Sequence, residues 1–411
     1  MNMNIGFIST WFERGAAYVT KAYIDLLKDK HNTFVYARGG EYFASDDLYW
    51  NQYNVTWGKK LSGTNVDKNH FYKWVNENKI DVLFFNEQHE FDILLNLKKD
   101  FPLLKIGAYI DYYKENTIEL FDVYDFLICN TKRHAFAFRN HKQMFYVPWG
   151  TDIVTFNPEN KKPFRNTSNT TNKISFFHSA GMSNRKGTDL LIEAFIKGEL
   201  YKKSNLIIHT QCNLDNIMEH YPEDIEKYNI EIINKTVSAP GLYHLGDVYV
   251  YPTKLEGLGL TLFEALSSGL PVITTDSAPM NEIINESNKN GKLINVNYSY
   301  SRKDAYYWPM SVSDVNDLII KMKFYLDNYE EMASYSAYAR NFAVKYLNWE
   351  DRKEQIEDIF VHSKIEMLDH KVEKNVIKYN KMLKKNALRN ILPTNNILGH
   401  VIKQGMSKLK K

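Results

Sequence analysis

Apolar residues in this chain gather into short continuous runs, separated by stretches with helical spacing. The first run is Asn4–Ser9, and others fall at Thr33–Tyr36, Ile80–Phe85, Lys105–Ile110, Phe126–Cys129 and Met144–Val147. Helical patterns run from Ala16 to about Lys28, near Phe91–Lys99 and at Lys132–Arg139. Strands apolar on both faces and alternating with helices predict a parallel sheet covered on both sides. Residues 157–172 are polar with no apolar period and read as a linker. A second series follows, with strands at Lys173–Phe177, Leu206–His209, Ile230–Ile233, Val248–Tyr251 and Val272–Thr275, and helices at Asp189–Ile196 and Leu260–Ser267. Further helical patterns cover Val315–Tyr325, Glu331–Tyr346 and Glu350 to about Leu368. The expectation is α/β: two Rossmann-like, doubly wound domains (1–156 and 173–345) facing each other across a cleft. A helix over 346–369 would return to the first domain, and 370–411 would form a basic amphipathic tail.

Composition adds bounds. At 411 residues there is room for two full cores, and 44% hydrophobic with 25% charged residues is a globular balance. No apolar run nears the ~18 residues of a membrane span. The first residues lack a basic segment, and Glu13 and Arg14 interrupt them, so no secretory leader is expected. Cys129 and Cys212 sit in strand-like stretches without zinc spacing and read as reduced core residues of a cytoplasmic protein. Charge is unevenly placed. Residues 371–411 hold eleven Lys/Arg against one acid, Glu373, leaving 41 against 48 in residues 1–370. The body is mildly acidic and the tail basic, with Val372, Val376, Tyr379 and Leu383 spaced between lysines, and Leu398, Val401, Ile402 and Leu409 beyond Pro393. Such a tail points to an anionic partner. Nucleic acid is not the expected one, because no recognition fold accompanies the charge.

In open α/β sheets ligands sit beyond the carboxyl ends of the strands, so the strand-to-helix loops are where chemistry belongs. One loop carries most of it. After the strand ending at Tyr251 come Pro252, Glu256, Gly257, Leu258, Gly259 and a helix starting near Leu260, with Glu264 about one turn in. A helix N-terminus leaves unpaired N–H groups and partial positive charge, a ready seat for phosphate. Two glutamates eight residues apart mean little alone, since Glu223 and Glu231 share that spacing. The ordered set of strand, Glu, two glycines, helix and second Glu is what carries weight. A second such loop, His178–Asp189, brings Gly181, Arg185, Lys186 and Gly187. In the first half, Arg14 and Gly15 follow the opening strand, Glu87, Gln88 and His89 follow a later one, and Asp111 lies in Ala108–Tyr113.

On these residues the chain resembles the retaining GT-B glycosyltransferases (family 4-like, group 1) that carry an E-x7-E signature in a Glu-Gly-x-Gly setting. The resemblance spans residues 4–365 and is most specific over 173–285. It implies a metal-independent transferase that retains anomeric configuration, has no cofactor, and uses a UDP- or GDP-sugar. Glu256 would face the donor sugar and Glu264 the ribose hydroxyls. The Leu260 and Thr261 amides would hold the diphosphate, with Gly15, Gly181, Gly257, Leu258 and Gly259 lining the donor. Lys186 and Arg185 would stabilise the leaving diphosphate, although related sequences place the Arg where Gly181 stands here. Ile110 occupies the position of a family histidine, so Asp111 is left as the catalytic candidate, with His89 or His134 as replacements. Arg14, Glu87, His89 and Asp111 are the acceptor-side candidates. Thr236–Leu242 would take the nucleobase, and Tyr146–Pro158 reads as the hinge, with Gly150 and Asp152 serving as turn residues. The acceptor is expected to be a glycan or lipid-linked oligosaccharide of surface polysaccharide synthesis, with the enzyme cytoplasmic and its tail at an anionic membrane face. Two alternatives accompany this reading: an inert GT-B nucleotide-sugar or glycan binder, and a sugar-nucleotide epimerase.

Overall fold

A computed structural model describes residues 2–39, 44–61, 63–160, 173–181, 183–214 and 225–391. In the N-terminal domain, β1 (Asn4–Ser9), β2 (Asn32–Ala37), β3 (Val55–Trp57), β4 (Val82–Asn86), β5 (Lys105–Tyr109), β6 (Phe126–Cys129) and β7 (Met144–Tyr146) form one parallel sheet, ordered β3-β2-β1-β4-β5-β6-β7. Its helices are α1 (Gly15–Leu27), α2 (Leu48–Asn51), α3 (Lys68–Glu77), α4 (Asp92–Asp100) and α5 (Lys132–Ala137). In the C-terminal domain, β8 (Ile174–Gly181), β9 (Ser204–Thr210), β10 (Ile230–Asn234), β11 (Val248–Tyr251), β12 (Val272–Thr275) and β13 (Gly291–Ile294) pair in parallel as β10-β9-β8-β11-β12-β13. Helices α6 (Thr188–Lys197), α7 (Leu260–Ser267), α8 (Val315–Asp327) and α9 (Met332–Tyr346) belong to this half. An antiparallel hairpin, β14 (Val296–Tyr300) and β15 (Met310–Ser313), follows β13. The continuous apolar runs are the interior of both sheets: β4 and β6 are buried along their whole length, as are β11 and β12.

Both sheets reverse their strand order beside their first strand, between β1 and β4 and between β8 and β11. Those switch points open a crevice at the strand ends where α/β folds bind ligands. The chain crosses back after α9. Thr151 bridges to Asn348, Trp349 donates from Nε1 to the Ala22 carbonyl at 3.0 Å, and Lys353 meets Asp29 at 2.8 Å. Helix α10 (Lys353–His362) then sets Phe360 among Phe7, Phe84 and Phe126.

Several expectations are corrected. The helix expected from Glu350 to about Leu368 stops at His362, and residues 363–369 are not helical. N-domain side chains take their backbone groups instead: Gln143 pairs with both the N–H and C=O of Lys364 at 2.8 Å, and Asp125 accepts from Glu366 N at 2.6 Å. Helix α11 (His370–Ile391) forms the start of the tail, but its apolar stripe is covered. Val372 and Val376 are buried against the N-domain, and Tyr379 meets Phe91 edge-on at 6.0 Å. The second tail pattern, Leu398 to Leu409, and linker residues 161–172 lie outside the described residues. Cys212 is half-buried beyond the end of β9, whereas Cys129 is a core residue.

Candidate active site

The C-domain wall of the cleft, the expected donor side, is built by the loops after β8 and β11, on either side of the switch point. The Lys186 ammonium bridges both oxygens of Glu256, at 2.7 and 2.8 Å. Tyr251 and Thr253 donate hydroxyls to Glu256 Oε1 at 2.9 and 2.6 Å. Burial alone would raise the Glu256 carboxyl, but Lys186 and Thr253 outweigh it and hold it below the usual range. Arg185 stands in the same loop, its carbonyl accepting from Lys254 N at 2.8 Å. Gly181 closes β8 at a φ of +55° with open space where a side chain would go.

Gly259 caps α7 at a φ of +78°, a conformation that costs glycine little, and no side chain caps the helix. Leu260 and Thr261, at the first turn, line a cavity of about 380 Å³. Glu264 lines it too, accepting from Tyr243 OH at 2.5 Å, and burial pushes its carboxyl up to about 7 against that hydrogen bond. Val237, Ala239, Gly241 and Leu242 form another wall, beside Ser179 and His209. The cavity therefore runs from the segment expected to take a base, past Glu264, to the α7 N-terminus. Lys186 and Glu256 lie beyond that end and are not among its lining residues.

The acceptor-side candidates sit across the cleft. Gly15 opens α1, and a Cβ there would come within 3.8 Å of the Leu260 side chain. Asp111 reaches further. A Cβ on Gly257 would fall 2.0 Å from Asp111 Oδ1, so the missing side chain of Gly257 is the space the N-domain carboxyl fills. Burial, then Glu87, push the Asp111 carboxyl well up against the pull of Arg133 and Arg185. Glu87 itself is at a φ of +54°. Its loop is gripped by the buried Arg38, which donates to the Glu87 carbonyl at 3.1 Å, Gln88 Oε1 at 2.9 Å and the Asn86 carbonyl at 2.5 Å. Arg14 is exposed at the head of α1.

Both histidine candidates pack against tyrosines of the Asp111 segment. His134 spends both ring nitrogens on Tyr113 OH at 2.8 Å and the Gly257 carbonyl at 3.3 Å, and burial holds its pKa well below the usual value. His89 packs on the Tyr112 ring at 4.6 Å, and burial lowers it to about 4. Ile110 is fully buried. Asp152 Oδ1 accepts from Val154 N and Thr155 N at 2.9 and 3.0 Å, closing a turn, and Gly150 lets the backbone pass against Leu347 and Trp349; both residues also line the cavity.

Residues outside the sequence reading tie the halves together. Arg133 donates to the carbonyls of Glu256 and Ala278, the latter at 2.7 Å. Glu282 accepts from the first N–H groups of α5, Lys132 at 2.6 Å and Arg133 at 3.0 Å. From the β14–β15 connection, Tyr306 OH donates to the Asp111 carbonyl at 3.0 Å and Asp304 accepts from Tyr112 OH at 3.0 Å. Trp308 Nε1 donates to Tyr113 OH at 2.6 Å. Arg133 could have been flagged by its place after β6; nothing in residues 296–313 marks them for the cleft.

Residues 172–302 match the family model described as glycosyl transferases group 1. That match covers about a third of the chain. Among curated relatives, the GtfA subunit of a UDP-N-acetylglucosamine–peptide N-acetylglucosaminyltransferase from Streptococcus pneumoniae is 23% identical over 54% of this chain and 48% of its own length. The sulfoquinovosyl transferase SQD2 of Arabidopsis thaliana is 31% identical over 31% of this chain and 23% of its own. The chain thus spans about half of the first relative and about a quarter of the second. Among solved structures, HepE of Anabaena in complex with UDP and glucose superposes with a TM-score of 0.66, covering 88% of this chain and 100% of that one at 14% identity. The pneumococcal O-GlcNAc transferase GtfA, with UDP and GlcNAc, gives 0.64 over 87% and 99% at 15% identity. These likenesses show the fold: GT-B, two Rossmann-like domains.

Proposed function

We propose that the protein is a retaining, metal-independent glycosyltransferase that moves a sugar from a nucleoside-diphosphate donor to a hydroxyl of a glycan or lipid-linked acceptor. The observation that carries this is the continuity of the wall: a cavity fit for a nucleoside, the uncapped α7 N-terminus, then the Lys186–Glu256 pair beside Gly257, against which Asp111 packs. On this reading Glu264 takes the ribose hydroxyls and the Leu260 and Thr261 amides take the diphosphate. Lys186 leaves Glu256 for the leaving phosphate, which frees the carboxylate to accept hydrogen bonds from sugar hydroxyls. Charge developing on the departing diphosphate meets Arg185 and the Lys186 ammonium that donor binding has turned from Glu256. The departing phosphate takes the acceptor proton on the same face, and Asp111 orients the acceptor. UDP- and GDP-sugars are the donors to try first, since UDP accompanies both related structures.

The buried Ile110 and the committed His134 favour one second reading, a GT-B binder without catalysis. Incubation with UDP-, GDP-, ADP- and CDP-sugars, following nucleoside diphosphate release and sugar products, separates the two. Turnover of one donor, reduced at least ~100-fold in Lys186→Ala, fits the loss of one charge-stabilising group. Binding without any turnover selects the inert reading, and an epimerised donor as sole product selects an epimerase.

A further inference from the structure

Helix α11 carries its charge on one face and its anchor on the opposite one. Val372, Val376 and Tyr379 pack onto the N-domain, and Asn380 Nδ2 donates to Asp92 Oδ1 at 2.5 Å. Lys374, Lys378, Lys381 and Lys385 recur at four, three and four residues, which places them on a single stripe about 16 Å long on the far side. Lys371 continues the stripe toward the helix start. Among the described residues, Lys374, Lys378 and Lys381 are exposed and have no carboxylate within ion-pair distance, whereas Lys371 and Lys384 reach Glu119 at 3.8 Å and Asp92 at 3.2 Å. Exposed apolar side chains flank the stripe: Ile377 is 36% and Met382 41% exposed. The helix also has a defined position relative to the cleft. Its Tyr379–Lys384 end sits on Phe91 and Asp92, immediately after the loop of Glu87 and His89.

We propose that the lysine face of α11 is a docking surface for an anionic lipid bilayer. Lysine ammoniums on flexible stems are point charges suited to a diffuse negative surface, unlike the directed fork of arginine. Cations flanked by apolar side chains match the headgroup–acyl boundary. The anchoring stripe is already used on the N-domain, so attachment is electrostatic: α11 lies flat on the surface, and no helix among the described residues is long and apolar enough to cross it. Docked this way, the protein holds the Glu87–His89 side of its cleft near the bilayer, where a lipid-linked acceptor would enter; that consequence rests on the transferase proposal, but the docking does not.

The test is co-sedimentation of the full chain with phosphatidylcholine vesicles, with and without about a third phosphatidylglycerol. Each lysine near such a surface contributes about fivefold to partitioning. Binding is expected only to the anionic vesicles, to fall away as salt shortens the screening length, and to drop ~100-fold or more in a K374E/K378E/K381E triple variant. That variant should retain the thermal midpoint and the donor response of the wild type, so a failure of docking is distinct from a failure of the transferase reading. Wild-type protein left in the supernatant with anionic vesicles at low salt, or a triple variant that sediments like the wild type, overturns the proposal.

Discussion

The two walls of the cleft are built on different plans. On the donor wall, Lys186, Tyr251, Thr253, Glu256 and Glu264 come from the neighbouring strands β8 and β11 and the loops and helix that follow them. Lys186, Tyr251, Thr253 and Glu256 are placed by a strand end within five residues, and Glu264 by the helix that follows β11. The acceptor wall has no such local unit. Asp111 is held by its fit against Gly257, and its loop by Tyr306 from a hairpin some 190 residues later and by the His134–Tyr113–Trp308 chain of hydrogen bonds. The side-chain contacts made within one domain keep their geometry when the domains part, whereas those made across the interface exist only when they are closed, as does the far side of the cavity, which Tyr18, Lys21 and Trp149 of the N-domain complete.

Substitutions on each wall sharpen this contrast. Glu256→Ala has the largest expected effect, because it leaves Lys186 without its partner in a largely buried place; breaking such a pair costs about 3–5 kcal/mol. Chemical denaturation should show a loss of that order, and initial rates should fall below detection, while Glu256→Gln keeps more of the stability and still loses turnover. Gly257→Ala pushes a methyl into Asp111, and overpacking of this kind costs about 1–3 kcal/mol. Adding Asp111→Ala should restore much of that stability without restoring transfer, a non-additive cycle that independent walls would not produce.

Acidity probes the donor wall alone. The Glu264 carboxyl is raised to about 7 in the fold, above its unfolded value. The fold therefore binds its proton first, and stability from this group grows as pH falls from 8 through 7 toward the ordinary carboxyl range and is lost as pH rises. On the proposed function donor binding runs the other way, because the ionised Glu264 is the stronger acceptor for ribose hydroxyls. Titration calorimetry should show donor affinity declining below about pH 7, and Glu264→Gln should flatten that decline. Tyr306→Phe is the mildest change, removing the hydroxyl that donates to the Asp111 carbonyl and accepts a long 3.4 Å contact from Arg133, the first worth about 0.5–1.5 kcal/mol. It should raise the acceptor KM a few-fold and leave donor affinity untouched; an equal loss in both would contradict the division of labour between the walls.

The same contrast explains what could be read from the sequence. Strands β6, β11 and β12 and helix α7 end where the apolar runs end, because continuous burial on both faces leaves a run of a single character. Glu256, Gly257, Gly259 and Glu264 were legible because a strand-loop-helix unit fixes their spacing. The role of Gly257 was only half visible: close approach was foreseeable, but not that Asp111 makes it. Strand β3, at the sheet edge and only partly buried, and the hairpin β14–β15, mostly exposed along β14, carry no apolar run to find. The break after His362 depends on Gln143 and Asp125, more than 200 residues away in sequence, and no local pattern encodes it.

The claim beneath all of this is that the cavity, the α7 N-terminus and Glu264 form one nucleoside-diphosphate site. Thermal shift with UDP, GDP, ADP and CDP and their sugars tests it most directly. One base should raise the midpoint in both forms, and that rise should shrink sharply in Glu264→Ala. No shift with any of the eight, or an undiminished shift in the Glu264 variant, would contradict the account.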